Sequence, residues 1–264
     1  MEPMTRQGSR EKGFVRISQT VARGRRDFDA VVPRTILVLA PHADDEVMSC
    51  GGTILKYTQW KCEVAVIVVT SGAGSGPTRE APDRITERRR KEFETTRRAL
   101  RLSDRSKFLG IELQINRDNV RRFTDIIRSI KPDVVLFPHP SDRHRAHRNT
   151  ALLTMEALYH APTEAYSGRG RAWLPLGAYF YETPSGIFGQ GVHAETLAIS
   201  DITEQFEAKK KILNEIYASQ TQLLSAFERW VEALARYRGE AGRCGFGEAF
   251  CPDATHVPLK LLLI

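Results

Sequence analysis

Two short segments hold most of the side chains that could do chemistry. "PHADDE" (41–46) supplies His42, Asp44, Asp45 and Glu46, and "PHPSDRHRAHRN" (138–149) supplies His139, Asp142, His144 and His147. Carboxylates crowded in this way repel one another unless a cation or a proton shares the site. Imidazole nitrogen and carboxylate oxygen are the ligand types that zinc and similar divalent ions take. His42 and Asp45 are three residues apart around a turn, so both can aim inward, and His147 would complete a set of two histidines and one carboxylate. Such a set leaves positions open for water, as a catalytic metal requires and a structural one does not. Taken singly, each segment has a plainer reading. Asp44 or Asp45 could cap the helix that follows, and the histidines could be solvated loop residues.

The elements around the two segments decide between these readings. "TILVLA" (35–40) is an apolar run with strand character, and "PHADDE" follows it directly. A helix is expected over roughly 46–59, then a strand at "EVAVIVVT" (63–70), a Gly/Ser/Pro loop at 71–82 and a long helix to about 102. A short strand at "KFLG" (107–110), a helix over 119–130 with apolar residues at 120, 123, 126, 127 and 130, and a near-continuous apolar strand at 132–138 complete the pattern. The β-α-β-α-β order predicts an α/β fold, a Rossmann-like doubly wound, mostly parallel sheet with helices on both faces, and a smaller irregular C-terminal part. Ligands of such sheets bind outside the carboxyl ends of the strands. "PHADDE" and "PHPSDRHRAHRN" each follow a strand, so the fold brings both to one rim. Two clusters meeting there favour a shared site over coincidence. Further on, helices are expected at 150–161, 203–219 (with Thr203 as N-cap) and 223–238, and strands at 177–182 and 195–200.

Bulk properties bound the rest. The chain has 264 residues, 41% hydrophobic, with a net charge of +7. This suits residues 1–33 as a basic N-terminal extension and 34–264 as a single domain. The basic stretch 6–26 and the arginine-rich stretch 84–101 read as a solvated tail and a solvated helix face. Neither carries the aromatic interleaving of a nucleic-acid site, so nucleic acid is not the expected partner. The cysteines at 50, 62, 244 and 251 form no C-x-x-C pair, and a Cys244–Cys251 disulfide has no signal peptide to support it. No apolar run is long enough to span a membrane, so a cytoplasmic location is expected. The apolar end "VPLKLLLI" (257–264) is expected to pack against the body or a second copy of the chain, which permits a homo-oligomer.

"PHADDEVMSCGGTI" resembles the signature of the LmbE/PIG-L family of metal-dependent N-acetylglucosaminyl deacetylases, whose segment reads A-H-P-D-D-E with a Gly-Gly downstream. "HRAH" (144–147) is similar to the family's H-x-D-H. Supporting similarities are "TSGAGSG" (70–76), "RRKE" (89–92), "ISDITEQFEAKKKILNEIYASQ" (199–220) and "GEAF" (247–250). The resemblance implies that His42, Asp45 and His147 bind Zn²⁺, with Fe²⁺ as the other option. It implies that Asp44 is the general base toward a metal-activated water, and that His144 stabilises the oxyanion or protonates the leaving amine. Arg89 is a substrate-positioning candidate, with a solvated helix arginine as the plainer reading, and Glu46 is expected to support the site from behind. The implied reaction removes acetyl from an N-acetylglucosamine-type sugar or glycoconjugate. Alternatives are an amidase acting on a larger N-acyl or thiol-conjugate substrate, and a metal- or sugar-binding protein with weakened catalysis.

Two departures from the family pattern matter. Ala43 stands where the family has proline and removes no ligand. Ala146 stands where the family has an aspartate that could orient a histidine; Asp142 is the candidate to substitute for it. The segment 161–195, rich in Gly, Pro and aromatics, is the expected place for loops that touch the substrate.

Overall fold

The computed structural model describes residues 15–16, 31–74, 80–188 and 197–253. Within the N-terminal extension, strands β1 (Val15–Arg16) and β2 (Val31–Val32) pair antiparallel. The chain then alternates through β3 (Thr35–Ala40), α1 (Asp45–Gln59), β4 (Glu63–Val68), α2 (Pro82–Ala99), β5 (Lys107–Phe108) and α3 (Arg117–Ile130). It continues with β6 (Val134–Pro138), α4 (Arg145–His160), β7 (Gly177–Tyr181), β8 (Ala198–Asp201) and α5 (Phe206–Ile216). A 3₁₀ turn (Ala218–Gln220), α6 (Thr221–Gly242) and β9 (Gly247–Pro252) close it.

Seven of these strands form one sheet in the order β5-β4-β3-β6-β7-β9-β8. The first five are parallel, and β9 runs antiparallel to both its neighbours. This is the mostly parallel, doubly wound α/β sheet that the alternating pattern predicts. Strand β3 shows why its sequence is apolar throughout. Ile36, Val38 and Ala40 face one core with α1, α2 and α5, while Leu37 and Leu39 face a second core with α3 and α4. Both faces are covered, so neither can carry polar residues cheaply.

From β3 the order runs outward in opposite directions, to β4 and β5 on one side and to β6 and β7 on the other. The chain therefore switches direction between β3 and β6, and ligands of such sheets bind outside the carboxyl ends at that point.

Several local expectations are corrected. Helix α4 starts at Arg145, five residues before the expected position, so "HRAH" is the first turn of a helix and not a loop. Thr203 does not cap α5; Gln205 holds that position, and Thr203 instead donates its hydroxyl to Asp201 Oδ1 at 2.6 Å. Strand β9 was hidden in "GEAFCP", whose glutamate breaks the apolar run. Of the segment 161–195, residues 189–195 lie outside the described residues, 183–185 reach the rim beside Asp142, and 161–176 do not. Trp173 Nε1 donates to Pro132 O at 2.8 Å and Leu176 N to Asp133 O at 2.7 Å, which places 161–176 at the amino end of β6, the opposite end of the sheet.

All four cysteines are free. Among the described residues no helix is long and apolar enough to cross a membrane. The apolar end 257–264 and most of 1–33 lie outside the described residues.

Candidate metal centre

Both segments lie at the switch point, directly after β3 and β6. The turn after β3 is pinned by Thr70, whose N–H and hydroxyl both donate to Pro41 O at 2.9 and 2.7 Å. Three donor atoms then converge. His42 Nδ1 lies 3.1 Å from Asp45 Oδ2, His147 Nε2 lies 3.3 Å from the same oxygen, and the two nitrogens are 3.3 Å apart. An ion with tetrahedral bonds of about 2.0–2.1 Å keeps its ligand atoms about 3.3 Å apart. The triangle thus has the size and the donor types of a divalent metal site. His144 stands beside it, its ring centroid 4.8 Å from that of His42 and 4.6 Å from that of His147. His42, His144 and His147 also satisfy a three-histidine arrangement within 4.8 Å, so His144 is close enough to act at the same centre.

His147 is held from behind. Asp142 is buried, and its Oδ2 sits 2.8 Å from His147 Nδ1, the ring nitrogen opposite the triangle. Thr183 donates to the same oxygen, and Ser185 Oγ and His144 N donate to Oδ1, each at 2.7 Å. A carboxylate on the far nitrogen fixes tautomer and ring orientation. Asp142 therefore does for His147 what the missing acid at Ala146 could have done. Thr183 and Ser185 escaped the sequence reading, although they follow β7 at the rim where the strand-end rule would have looked.

Asp44 has an unusual setting. Its φ of 143° and ψ of −32° lie where L-residues are rarely found, a strain on the order of 1–3 kcal/mol. Its carbonyl accepts the N–H groups of Val47 and Met48 at 3.0 and 2.9 Å, which starts α1, yet its carboxylate makes no capping bond. Asp45 does not cap the helix either; its Oδ2 accepts the His42 N–H at 2.9 Å. The capping alternative thus fails for both, and the Asp44 carboxylate remains uncommitted. Glu46 is fully buried; it accepts the Asp44 N–H at 3.0 Å and the hydroxyl of Tyr217.

The electrostatics show a site short of positive charge. Burial, and then the charge of Asp45, push Asp44 up to about 8. Burial pushes Glu46 up to about 7, against the pull of the Tyr217 hydrogen bond. Burial alone would raise Asp45, but His147 and His42 hold it well below the carboxylate range. Burial alone would lower His147, but Asp45 and Asp142 raise it to about 10. His144 is lowered by burial and by the two other imidazoles. A dication among these groups reverses the local logic and favours ionised carboxylates with neutral imidazoles.

Arg89 is not the solvated helix arginine of the plainer reading. Only 12% of its side chain is exposed, it donates to Glu92 Oε2 at 2.8 Å and Ser219 Oγ at 3.3 Å, and its charge acts to lower Asp44. Its neighbour Arg90 is half exposed. His139 stays apart from the triangle. Its ring packs edge-on against Phe180 and Phe188, with centroids 4.9 and 5.8 Å away, and Nδ1 accepts the Ser141 N–H.

The family model for GlcNAc-PI de-N-acetylases, PIG-L, matches residues 37–158. That stretch of the chain is similar to the PIG-L family. The match begins inside β3 and ends inside α4, so it contains both segments of the candidate metal centre. A diacetylchitobiose deacetylase of Thermococcus kodakarensis is 29% identical over 136 residues, 48% of this chain and 50% of that protein, so the match spans about half the relative's length. The structure of an N,N'-diacetylchitobiose deacetylase from Pyrococcus horikoshii superposes with a TM-score of 0.73 at 26% identity, covering 83% of this chain and 84% of that one. The fold is shared more widely. The 4-carboxy-2-hydroxymuconate hydratase of Pseudomonas putida, 18% identical, superposes with a TM-score of 0.72 over 86% of this chain and 99% of that one.

Proposed function

We propose that this protein is a PIG-L-type, metal-dependent N-deacetylase that releases acetate from an N-acetylglucosamine-type sugar or glycoconjugate. The observation that carries the reading is the donor triangle of His42, Asp45 and His147 with an uncommitted carboxylate, Asp44, in the turn that supplies two of its corners. The deacetylases among its relatives support the acetylated amino sugar as substrate. His42, Asp45 and His147 would hold Zn²⁺, and the same donors suit Fe²⁺. Such an ion, when bound, polarises an amide carbonyl and acidifies water.

The chain's own residues supply the remainder. Asp44 takes the proton of the attacking water, a role that needs a carboxylate outside the ligand set but within reach of it. His144, beside His42 and His147, donates a hydrogen bond to the carbonyl oxygen as negative charge develops there, and then a proton to the departing amine. Arg89, held by Glu92 and Ser219, offers a fixed guanidinium for the hydroxyls of the sugar. Asp142 keeps His147 in the tautomer that presents Nε2 to the metal, which counts against a protein that has lost catalysis through Ala146.

The test combines elemental analysis with acetate release from N-acetylglucosamine derivatives. One equivalent of Zn²⁺ or Fe²⁺ and activity abolished by chelation are expected. A chain that binds no divalent metal, with acetate release unaffected in Asp44→Asn, would overturn the reading. Parallel assays with longer N-acyl groups separate a deacetylase from a broader amidase.

A further inference from the structure

The reactive carboxylate of Asp44 sits on a backbone that no local preference supports, with φ at 143°. One hydrogen bond fixes its amide: the N–H donates to Glu46 Oε2 at 3.0 Å. The other oxygen of Glu46 accepts the Tyr217 hydroxyl, and the Tyr217 oxygen accepts the Thr96 hydroxyl at 3.0 Å. Glu46, Tyr217 and Thr96 are all fully buried. The relay therefore runs from α2 through the segment that follows α5 to the turn after β3, without solvent along the way.

Thr96 argues that the relay is more than packing. Its neighbour Thr95 turns its hydroxyl back to Lys91 O at 3.0 Å, the usual choice for a helical threonine. Thr96 instead spends its hydroxyl on Tyr217. Without the tyrosine oxygen, a buried carboxylate oxygen of Glu46 would lose its hydroxyl donor, next to two further carboxylates in Asp44 and Asp45. Such a group reorients rather than stay unpaired. Its rotation would release the Asp44 N–H.

We propose that Tyr217 is a positioning residue for Asp44: supported by Thr96, it holds Glu46 so that Glu46 clamps the Asp44 amide and aims the Asp44 carboxylate at the metal centre. The proposal rests on Asp44 acting as the base, as inferred above. Misplacement of a reacting group by even about 1 Å can cost 100-fold in rate. Tyr217 is fully buried and its hydrogen bonds go to Glu46 and Thr96, outside the proposed ligand set, so its loss should appear in kcat and spare KM.

The test uses the full chain, loaded with metal. Tyr217→Phe keeps the ring and removes the hydroxyl. The expected result is a fall in kcat of about 10- to 100-fold, with KM and metal content within about twofold of wild type. A crystal structure of the variant should show Asp44 relaxed out of its left-handed region. Thr96→Val should lower kcat in the same direction, and Thr96→Ser should restore it. Either an unchanged kcat in Tyr217→Phe or an unmoved Asp44 backbone overturns the proposal. Should Tyr217→Phe fail to fold, Thr96→Val carries the same comparison, and an unchanged kcat there is equally decisive. If the wild-type chain releases no acetate, the deacetylase reading fails on its own, and the position of Asp44 in the variant structure still decides the role of Tyr217.

Discussion

Asp142 Oδ2 lies 2.8 Å from His147 Nδ1, and the opposite nitrogen of the same ring faces Asp45 at 3.3 Å. One imidazole is thus gripped by carboxylates on both sides. The inner one belongs to the proposed metal set, and the outer one is fastened by Thr183, Ser185 and the His144 amide.

Asp142→Asn should weaken metal binding by roughly 10- to 100-fold, since outer partners of metal-bound histidines carry that much affinity. Competition with a chelator of known affinity measures it. Ala146→Asp in the wild-type background should change the affinity little, because His147 already has its carboxylate.

Metal loss and base loss should separate cleanly. His42→Ala should leave the chain with little or no tightly held metal. Asp44→Asn should keep the metal and lose about 100- to 10,000-fold in kcat, the range expected for a general base. Elemental analysis beside steady-state kinetics distinguishes the two. An Asp44→Asn variant that also drops its metal would move Asp44 into the ligand set.

Gly52→Ala should be destabilising although Gly52 lies within a helix, where alanine is ordinarily preferred. A Cβ at Gly52 would stand 2.7 Å from Cβ, Cγ2 and Cδ1 of Ile202, so α1 could not approach the start of α5 as it does. Overpacking of this kind costs about 1–3 kcal/mol. Thermal or urea unfolding reads it, and Ile202→Ala should recover part of the loss in the double variant.

Lys209→Met should cost more. Lys209 Nζ donates to Glu248 Oε1 at 2.7 Å and to Met48 O at 2.8 Å, and both charged side chains are almost fully buried. Glu248 in turn accepts the N–H groups of Gly52 and Thr53 at 2.9 and 2.8 Å. Removing one member of a buried pair typically costs about 3–5 kcal/mol. Equilibrium unfolding measures the loss. A Lys209→Met chain as stable as wild type would mean that the pair is replaceable.

Sequence reading reached the parts of the molecule governed by local pattern. β3, β6 and the helices between them announce themselves through apolar runs and spacing, and the strand-end rule carries His42, Asp45 and His147 to one rim. It faltered where long-range partners decide. "HRAH" looked like loop because arginine and histidine mask the start of α4. Tyr217 and Glu46 are 171 residues apart, and no spacing links them. β9 was missed because Glu248 looks wrong for a buried strand until Lys209 is seen opposite it. Segment 161–195 drew attention by composition, but composition does not say at which end of the sheet its first part, 161–176, lies.

The clasp of Glu248 and Lys209 on α1 has a consequence for how the chain is made. Every candidate metal ligand has been synthesised by residue 147, yet Gly52, Thr53 and Met48 wait for partners at 209 and 248. During translation the first half is therefore expected to leave the ribosome with its future metal site unsecured. A fragment ending near 158 would hold all the chemistry and lack the means to keep it in place.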